Sequence, residues 1–432
     1  MAELVNTFTS TGGKFFHHQE AMRSLRDGRG RPIVTHLMPT DLCQHTCAFC
    51  SVQTRDGNTL PMKDMLVYLD TLMRYGLKAV IISGGGNPIL YKCPVSHANF
   101  NDLVGCIADR GLEIGLITNG MPLRKFEVSA KKLQCVAQDP DAIIDSAARV
   151  GHPNGLRYRD IYCLGCHCFR DSCVCNKMTI RESWGTVRPE TLDKLAWVRI
   201  SMSGLDHDER EVFVPDVDPS KTTLGFSYVL HDLYDEPADI HHGKVSTQAD
   251  LITLGSSRLS LKPTWWAKDR VGELTVQIEH YVRIYRPRYV RLLPNCLEPD
   301  LISERCIVLQ KIADAIDPDV VFVQYKPPAA PKACYLGYIH PVLNSDGYVY
   351  PCDSCVLNRE AGHKFAEPWR ICRWDEVSRL YEQPVRNLID DPKVRCPGCV
   401  FTASNTLLGS VVDGTADLTL LAGEGVEHAN FV

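Results

Sequence analysis

Six short apolar runs alternating with segments of helical spacing constrain this chain more than any other feature. The runs are Pro32–Met38, Leu77–Ser83, Leu112–Thr118, Trp197–Met202, Leu224–Leu230 and Tyr289–Leu293, with a further strand-like stretch at Val320–Tyr325. Strands that are apolar throughout, rather than in alternation, are covered on both faces, which is the condition of a parallel sheet. Parallel neighbours need a crossover, and Met62–Tyr75, Asn99–Arg110, Pro189–Ala196, Val271–Tyr285 and Glu298–Ile316 have the apolar spacing of the helices that would supply it. Gly76 and Gly111 close the first two of these helices. The expected class is therefore α/β with a parallel sheet. Three loops fall where such folds build their sites, at the C-terminal ends of strands: residues 39–58, Gly84-Gly85-Gly86-Asn87-Pro88, and Thr118-Asn119-Gly120.

Cysteine content is the second constraint. The chain holds 19 cysteines in 432 residues and carries no basic segment with an apolar signal core at its start. The reading is therefore cytosolic, where clustered cysteines point to metal rather than to disulfides. Cys43, Cys47 and Cys50 form one group; Cys163, Cys166, Cys168, Cys173 and Cys175 a second; Cys334, Cys352, Cys355, Cys372, Cys396 and Cys399 a third. Cys93, Cys106, Cys135, Cys296 and Cys306 are scattered and read as packing residues. A hydrophobic fraction of 44% with 23% charged residues is ordinary for a globular protein. The net charge of −5 offers no global attraction to nucleic acid or an anionic membrane.

The first group stands at C-x3-C-x2-C immediately after the first strand. Thiolates at these spacings can wrap a cubane iron–sulfur cluster, and three ligands for four irons leave one iron open for chemistry. A zinc loop completed by His36 or His45 is the alternative. The spacing, with aromatic Phe49 just before the last cysteine, resembles the radical S-adenosylmethionine (SAM) superfamily. That resemblance implies a partial (β/α)6 barrel over residues 32–325, preceded by an N-terminal extension, 1–31. It also implies a 4Fe–4S cluster on Cys43, Cys47 and Cys50 whose open iron chelates SAM. The family's Gly-Gly-Glu motif, which binds the SAM amino group, corresponds to Gly84, Gly85, Gly86 and Asn87; Asn87 keeps a carbonyl acceptor but not the glutamate charge. Ser201 and Arg199, in Val198-Arg-Ile-Ser-Met-Ser-Gly-Leu-Asp206, fall where family members contact the ribose or carboxylate of SAM, and Asn119 is similarly placed. Each also has a bland reading as a satisfied strand-end or turn residue.

Two long stretches interrupt the alternation: 121–187, with the middle cysteines, and 231–270, with His241-His242 and Trp265-Trp266. Insertions at a barrel mouth shape substrate binding or a lid. Lys326-Pro-Pro-Ala-Ala-Pro331 has the composition of a stiff linker, and a separate cysteine-bearing domain, 326–432, is expected from it onward. There Asn344-Ser-Asp-Gly347 reads as a hairpin turn that presents Cys352. Cys334, Cys352 and the pair Cys396-Pro-Gly-Cys399 resemble the SPASM/Twitch extension of radical SAM enzymes. No cysteine follows Cys399, so the shorter Twitch form is implied, with one auxiliary 4Fe–4S cluster on Cys334, Cys352, Cys396 and Cys399; Cys355 and Cys372 are spare, and a zinc knuckle is the alternative. The middle set matches no family pattern. Zinc is its first reading, as a staple for a segment with little core, and another iron–sulfur cluster its second.

The resemblance implies an enzyme that abstracts hydrogen by way of a 5′-deoxyadenosyl radical, fed by a donor such as flavodoxin or ferredoxin. Peptide-modifying members often begin with a winged-helix module, and 42 residues before Cys43 are too few for one. A small-molecule or nucleoside-type substrate is therefore expected ahead of a peptide. Nucleic acid, met by Arg157, Arg159, Arg170, Lys177 and Arg181 of the insertion, is a third class, and a non-catalytic metal-binding protein a fourth. No run approaches the ~20 apolar residues of a membrane span.

Overall fold

In the computed structural model the described residues are 8–9, 12–43, 45, 47, 49–120, 187–206, 212–231, 268–357, 362–390, 396, 398–419 and 426–432, together with the backbone of three strands at 124–128, 161–163 and 178–182. The strands, in chain order, are β1 (Val34–Leu37), β2 (Ala79–Ile82), β3 (Glu113–Thr118), β4 (Arg124–Val128), β5 (Ile161–Cys163), β6 (Met178–Glu182), β7 (Trp197–Ser201), β8 (Thr223–Leu230), β9 (Tyr289–Pro294), β10 (Val321–Val323), β11 (Val342–Leu343), β12 (Tyr348–Tyr350) and β13 (Cys372–Arg373). All seven expected barrel strands form, and they lie side by side in the order β10-β9-β8-β7-β3-β2-β1, every pair parallel. A parallel sheet that follows chain order without closing on itself is the layout of a partial barrel.

Every residue of β1 and β2 is buried, as unbroken apolar runs require when both faces are covered. The helix Met62–Arg74 turns Met65, Tyr68, Leu69 and Leu72 inward, and Phe100–Ala108 buries Phe100, Leu103, Val104 and Ile107. Asn99 caps the second of these in a reciprocal capping box with Asp102. Among the described residues no helix is long and apolar enough to cross a membrane.

At the other edge the sheet continues into the C-terminal unit. β11 pairs in parallel with β1, and β12 and β13 follow antiparallel. The hairpin turns at Gly347, whose φ of +83° and N–H bond to the Asn344 carbonyl at 3.0 Å need a residue free of a Cβ penalty. The described residues of 326–432 thus share one sheet and one core with the strands before them. The strands of the 121–187 insertion form a separate antiparallel sheet, β4-β6-β5.

Two features set stability expectations. Arg305, on the helix Ile302–Ile316, is fully buried and pairs with Glu298 at 2.5 Å, holding the turn after β9. Arg305→Leu leaves a largely buried carboxylate without its cation, and a loss of about 3 kcal/mol is expected in denaturant unfolding.

The segment 426–432 is tied down by buried basic groups. Lys14 Nζ donates to the His428 and Phe431 carbonyls at 3.2 Å, His18 Nε2 to Ala429 O at 2.9 Å, and His340 Nδ1 to Val432 O at 2.8 Å. Burial pushes His18, His340 and His428 from the usual 6.5 down to about 4. The unfolded chain therefore binds protons between these values that the folded chain refuses. The histidine contribution to stability is complete above about pH 6.5 and is lost as pH drops toward 4, each histidine contributing on the order of 3 kcal/mol at most. Urea midpoints measured across that window should decline; a flat profile would contradict the burial argument.

Candidate active site

The loop carrying the first cysteines leaves the C-terminal end of β1 and is tied at its neck. Asp41 N–H donates to Asn58 O at 3.1 Å, Leu60 N–H to Pro39 O at 2.9 Å, and the Thr40 and Thr59 hydroxyls meet at 2.8 Å. Asp41 accepts the Asp56 N–H at 3.0 Å, and a turn from Cys50 N–H to Cys47 O, 3.0 Å, brings the second and third cysteines together. The glycine run after β2 lies directly against this loop. A Cβ on Gly86 would stand 2.1 Å from Leu42 O and 2.4 Å from the Asp41 carbonyl carbon, while Asn87 N–H donates to Leu42 O at 2.7 Å. Gly86 is therefore required for the approach of two backbones. Gly86→Ala should displace the Asp41–Cys43 segment, with at least a tenfold drop in iron retained after reconstitution, against no change for Gly272→Ala, where an added Cβ meets nothing and φ is ordinary.

All three thiols are half-buried and unpaired by disulfide. Asn119 Nδ2 reaches Cys43 Sγ at 3.4 Å, Arg55 Nη2 reaches Cys50 Sγ at 3.3 Å, and Cys47 hydrogen-bonds Ser203. Burial raises the Cys47 thiol well above its ordinary value, and the neighbouring Cys50 and Cys43 raise it further, while Ser203 and Arg55 oppose them. Three soft thiol donors on one short loop, with Arg55 beside them, suit a thiolate-ligated cluster whose cationic iron would compensate their charge. Among the described residues no group of three or more His, Cys, Asp or Glu side chains forms a ready-made single-ion site.

The other sequence candidates are distributed around this loop unevenly. Asn87 is buried, but its Oδ1 accepts from the Thr118 hydroxyl at 2.7 Å and from Ile89 N–H at 3.3 Å, and its Nδ2 donates to Gly120 O at 2.7 Å. Its side chain clamps the loops after β2 and β3 together. Phe49 packs its ring on His231, 4.7 Å between centroids, at the end of β8. Ser201 closes β7 opposite Ser227. Arg199 lies on the same strand but in the lumen, hydrogen-bonded to Tyr289 and 5.7 Å from the Trp197 ring, whereas the cation acting on the three thiols is Arg55. Arg55 and Ser203 were both in view, inside the cysteine loop and the Val198–Asp206 nonapeptide. The signal for Arg55 was a basic residue five positions after a candidate thiolate.

Five cysteines of the third set, Cys334, Cys352, Cys355, Cys396 and Cys399, are linked by their electrostatic influence on one another. The Cys334 thiol is raised by burial and then by Cys352, Cys399 and Cys396; Cys355 is raised by burial and by Cys352 and Cys396. Cys399 Sγ accepts from Phe401 N–H at 3.3 Å and from Asn405 Nδ2 at 3.8 Å, and Asn387 Oδ1 holds the Cys334 N–H at 2.8 Å. Cys355 points its S–H at the Cys352 carbonyl, 3.1 Å away, and Cys396 its own at the Gly398 carbonyl, 3.9 Å away. Cys372 sits on β13, where Glu376, Arg379 and Asp375 are its charged neighbours. Of the middle set, Cys166, Cys168, Cys173 and Cys175 lie outside the described residues, as does the Cys163 side chain.

No family model and no curated protein sequence matches the chain. Solved structures do. SuiB of Streptococcus suis bound to precursor peptide SuiA is similar at 12% identity and a TM-score of 0.41, over 95% of this chain and 77% of that one. BtrN in complex with AdoMet and 2-DOIA is similar at 12% identity and 0.31, over 90% and 92%. Native anSMEcpe with bound AdoMet and Cp18Cys peptide is similar at 12% and 0.36, over 84% and 81%. Likenesses this distant leave the functional assignment to the chain's own residues.

Proposed function

We propose that this chain is a radical SAM enzyme acting on a small-molecule or nucleoside-type substrate. The observation that carries the reading is the C-x3-C-x2-C loop at the C-terminal end of the first strand of a chain-ordered parallel sheet, pressed against the Gly84–Gly86 run. Cys43, Cys47 and Cys50 would hold a 4Fe–4S cluster. When bound, cluster and SAM supply the 5′-deoxyadenosyl radical that abstracts hydrogen from substrate.

The chain's own residues position and shield. Arg55 offsets thiolate charge at Cys50 and anchors the loop through the His45 carbonyl at 2.9 Å. Asn119 orients Cys43, and Ser203 lies between His45 and Cys47. Phe49 on His231 forms an aromatic wall that keeps water from one side of the loop. Gly84, Gly85, Ser201 and Asn119 are the residues nearest in role to SAM recognition, and Asn87 acts by fixing the loops that present them.

Cys334, Cys352, Cys396 and Cys399 in 326–432 would hold an auxiliary 4Fe–4S cluster that accepts an electron from, or binds, substrate, and Cys163–Cys175 a structural zinc. A flavodoxin or ferredoxin would supply electrons, in the cytosol. The test is anaerobic reconstitution with iron and sulfide, then measurement of 5′-deoxyadenosine with and without cell extract. Iron-loaded protein that neither binds nor cleaves SAM would sink the reading.

A further inference from the structure

The lumen of the open barrel holds a cavity of about 150 Å³, walled by His36 of β1, Arg199 of β7, Arg291 of β9, Lys326 and Asp353. That is room for about five waters at ~30 Å³ each, or for one small oxyanion group. Its charge is unbalanced. Four basic side chains, Lys14, Arg199, Arg291 and Lys326, line it against the single carboxylate of Asp353. Lys14 spends its donors on the floor, on the carbonyls of His428 and Phe431. The other three face the cavity with donors in hand. Arg291 gives one Nη1 hydrogen bond to Gln324 at 3.0 Å, and Arg199 bonds Tyr289, yet the Nε atoms of both arginines are buried without a partner among the described residues. Lys326 Nζ is 4.8 Å from the Phe401 ring centroid. Asp353, 41% exposed, favours the charged forms of Arg199, Arg291 and Lys326, but it is one charge against three.

Like charges held together away from bulk water destabilise each other, and the structure registers this. Arg291 is lowered to about 9 by burial and then by Arg199, and Lys326 to about 8 by burial and then by Arg291. The histidines on the walls add no charge at neutral pH, since burial lowers both His36 and His340. His340 gives its Nδ1 proton to Val432 O, so its Nε2 is an unpartnered acceptor in the wall, suited to a substrate hydroxyl or N–H. A group of cations this costly persists where an anion compensates it, and arginine forks with an adjacent ammonium fit the oxygens of a carboxylate or phosphate.

We propose that Arg199, Arg291 and Lys326 form an oxyanion pocket inside the barrel that holds a carboxylate or phosphate group of the substrate. The assignment to substrate rests on the radical SAM reading above; the pocket itself does not. Asp353 follows Cys352 directly, so an anion held here lies beside the C-terminal cysteine set, and its site is distinct in charge from the Arg55-flanked thiols of the first loop.

The probe is inorganic phosphate, titrated calorimetrically into the full, anaerobically purified chain, with and without SAM. Saturable binding in the millimolar range is expected, weakened about tenfold or more by Arg291→Gln and again by Lys326→Gln. Because Arg291→Gln removes a repelling charge, that variant should melt no lower than the parent without phosphate, which separates lost binding from lost folding. Absence of saturable binding in the parent, or equal binding in the variants, would overturn the pocket. Displacement of phosphate by SAM would overturn its assignment to substrate, because the cations would then serve the SAM carboxylate. Phosphate binding in a protein that fails to bind SAM would leave the pocket standing and remove the functional reading instead.

Discussion

Alanine at Cys43, Cys47 and Cys50 together should reduce 5′-deoxyadenosine formation to background while the chain still folds. The thiols sit half-buried on a loop whose neck is closed independently of them, by Thr40 with Thr59 and by the backbone bonds of Asp41 and Leu60. β1 beneath the loop is held by β2 on one side and β11 on the other. Removing three partly exposed sulfurs therefore costs little packing, whereas removing every ligand abolishes the site that would bind SAM. The measurement is product formation after anaerobic reconstitution, with the thermal midpoint as control. Undiminished cleavage in the triple variant would refute the assignment.

The second large effect is in iron content. The same triple variant should retain about four irons, the complement of one cubane. Cys334, Cys352 and Cys399 are buried and Cys396 half-buried; burial and thiol neighbours oppose ionisation of Cys334, Cys396 and Cys399, while a hydrogen bond from Cys355 favours that of Cys352. The three opposed thiols are held as thiolates when a metal compensates their charge. Adding Cys334→Ala and Cys399→Ala should remove those irons, with a Mössbauer spectrum reporting the loss. Cys372→Ala should change nothing, because that residue stands on β13 away from the group, whereas Cys355→Ala tests the one neighbour that the fold adds to it. Zinc without iron in the triple variant would contradict the auxiliary-cluster reading.

Much of this protein is legible from local sequence. Apolar runs of strand length without alternation read as strands covered on both faces, so Pro32–Met38 through Tyr289–Leu293 point to a parallel sheet, while its order is set only in the fold. The Cys43–Cys50 spacing lies within one loop, and Asn344–Gly347 within one turn, so both could be read directly. Side-chain partners across the barrel could not be. Asn87 offers a carbonyl to a ligand as readily as to a neighbour until β3 brings Thr118 within 2.7 Å. Arg199 stands alone in the sequence until β9 sets Arg291 into the same lumen. The union of 326–432 with the main sheet depends on β11 meeting β1. Sequence determines periodicity and spacing, which are properties of neighbours along the chain; which polar group satisfies which, and where charges of one sign accumulate, is decided only when the folded sheet sets distant strands at hydrogen-bonding distance.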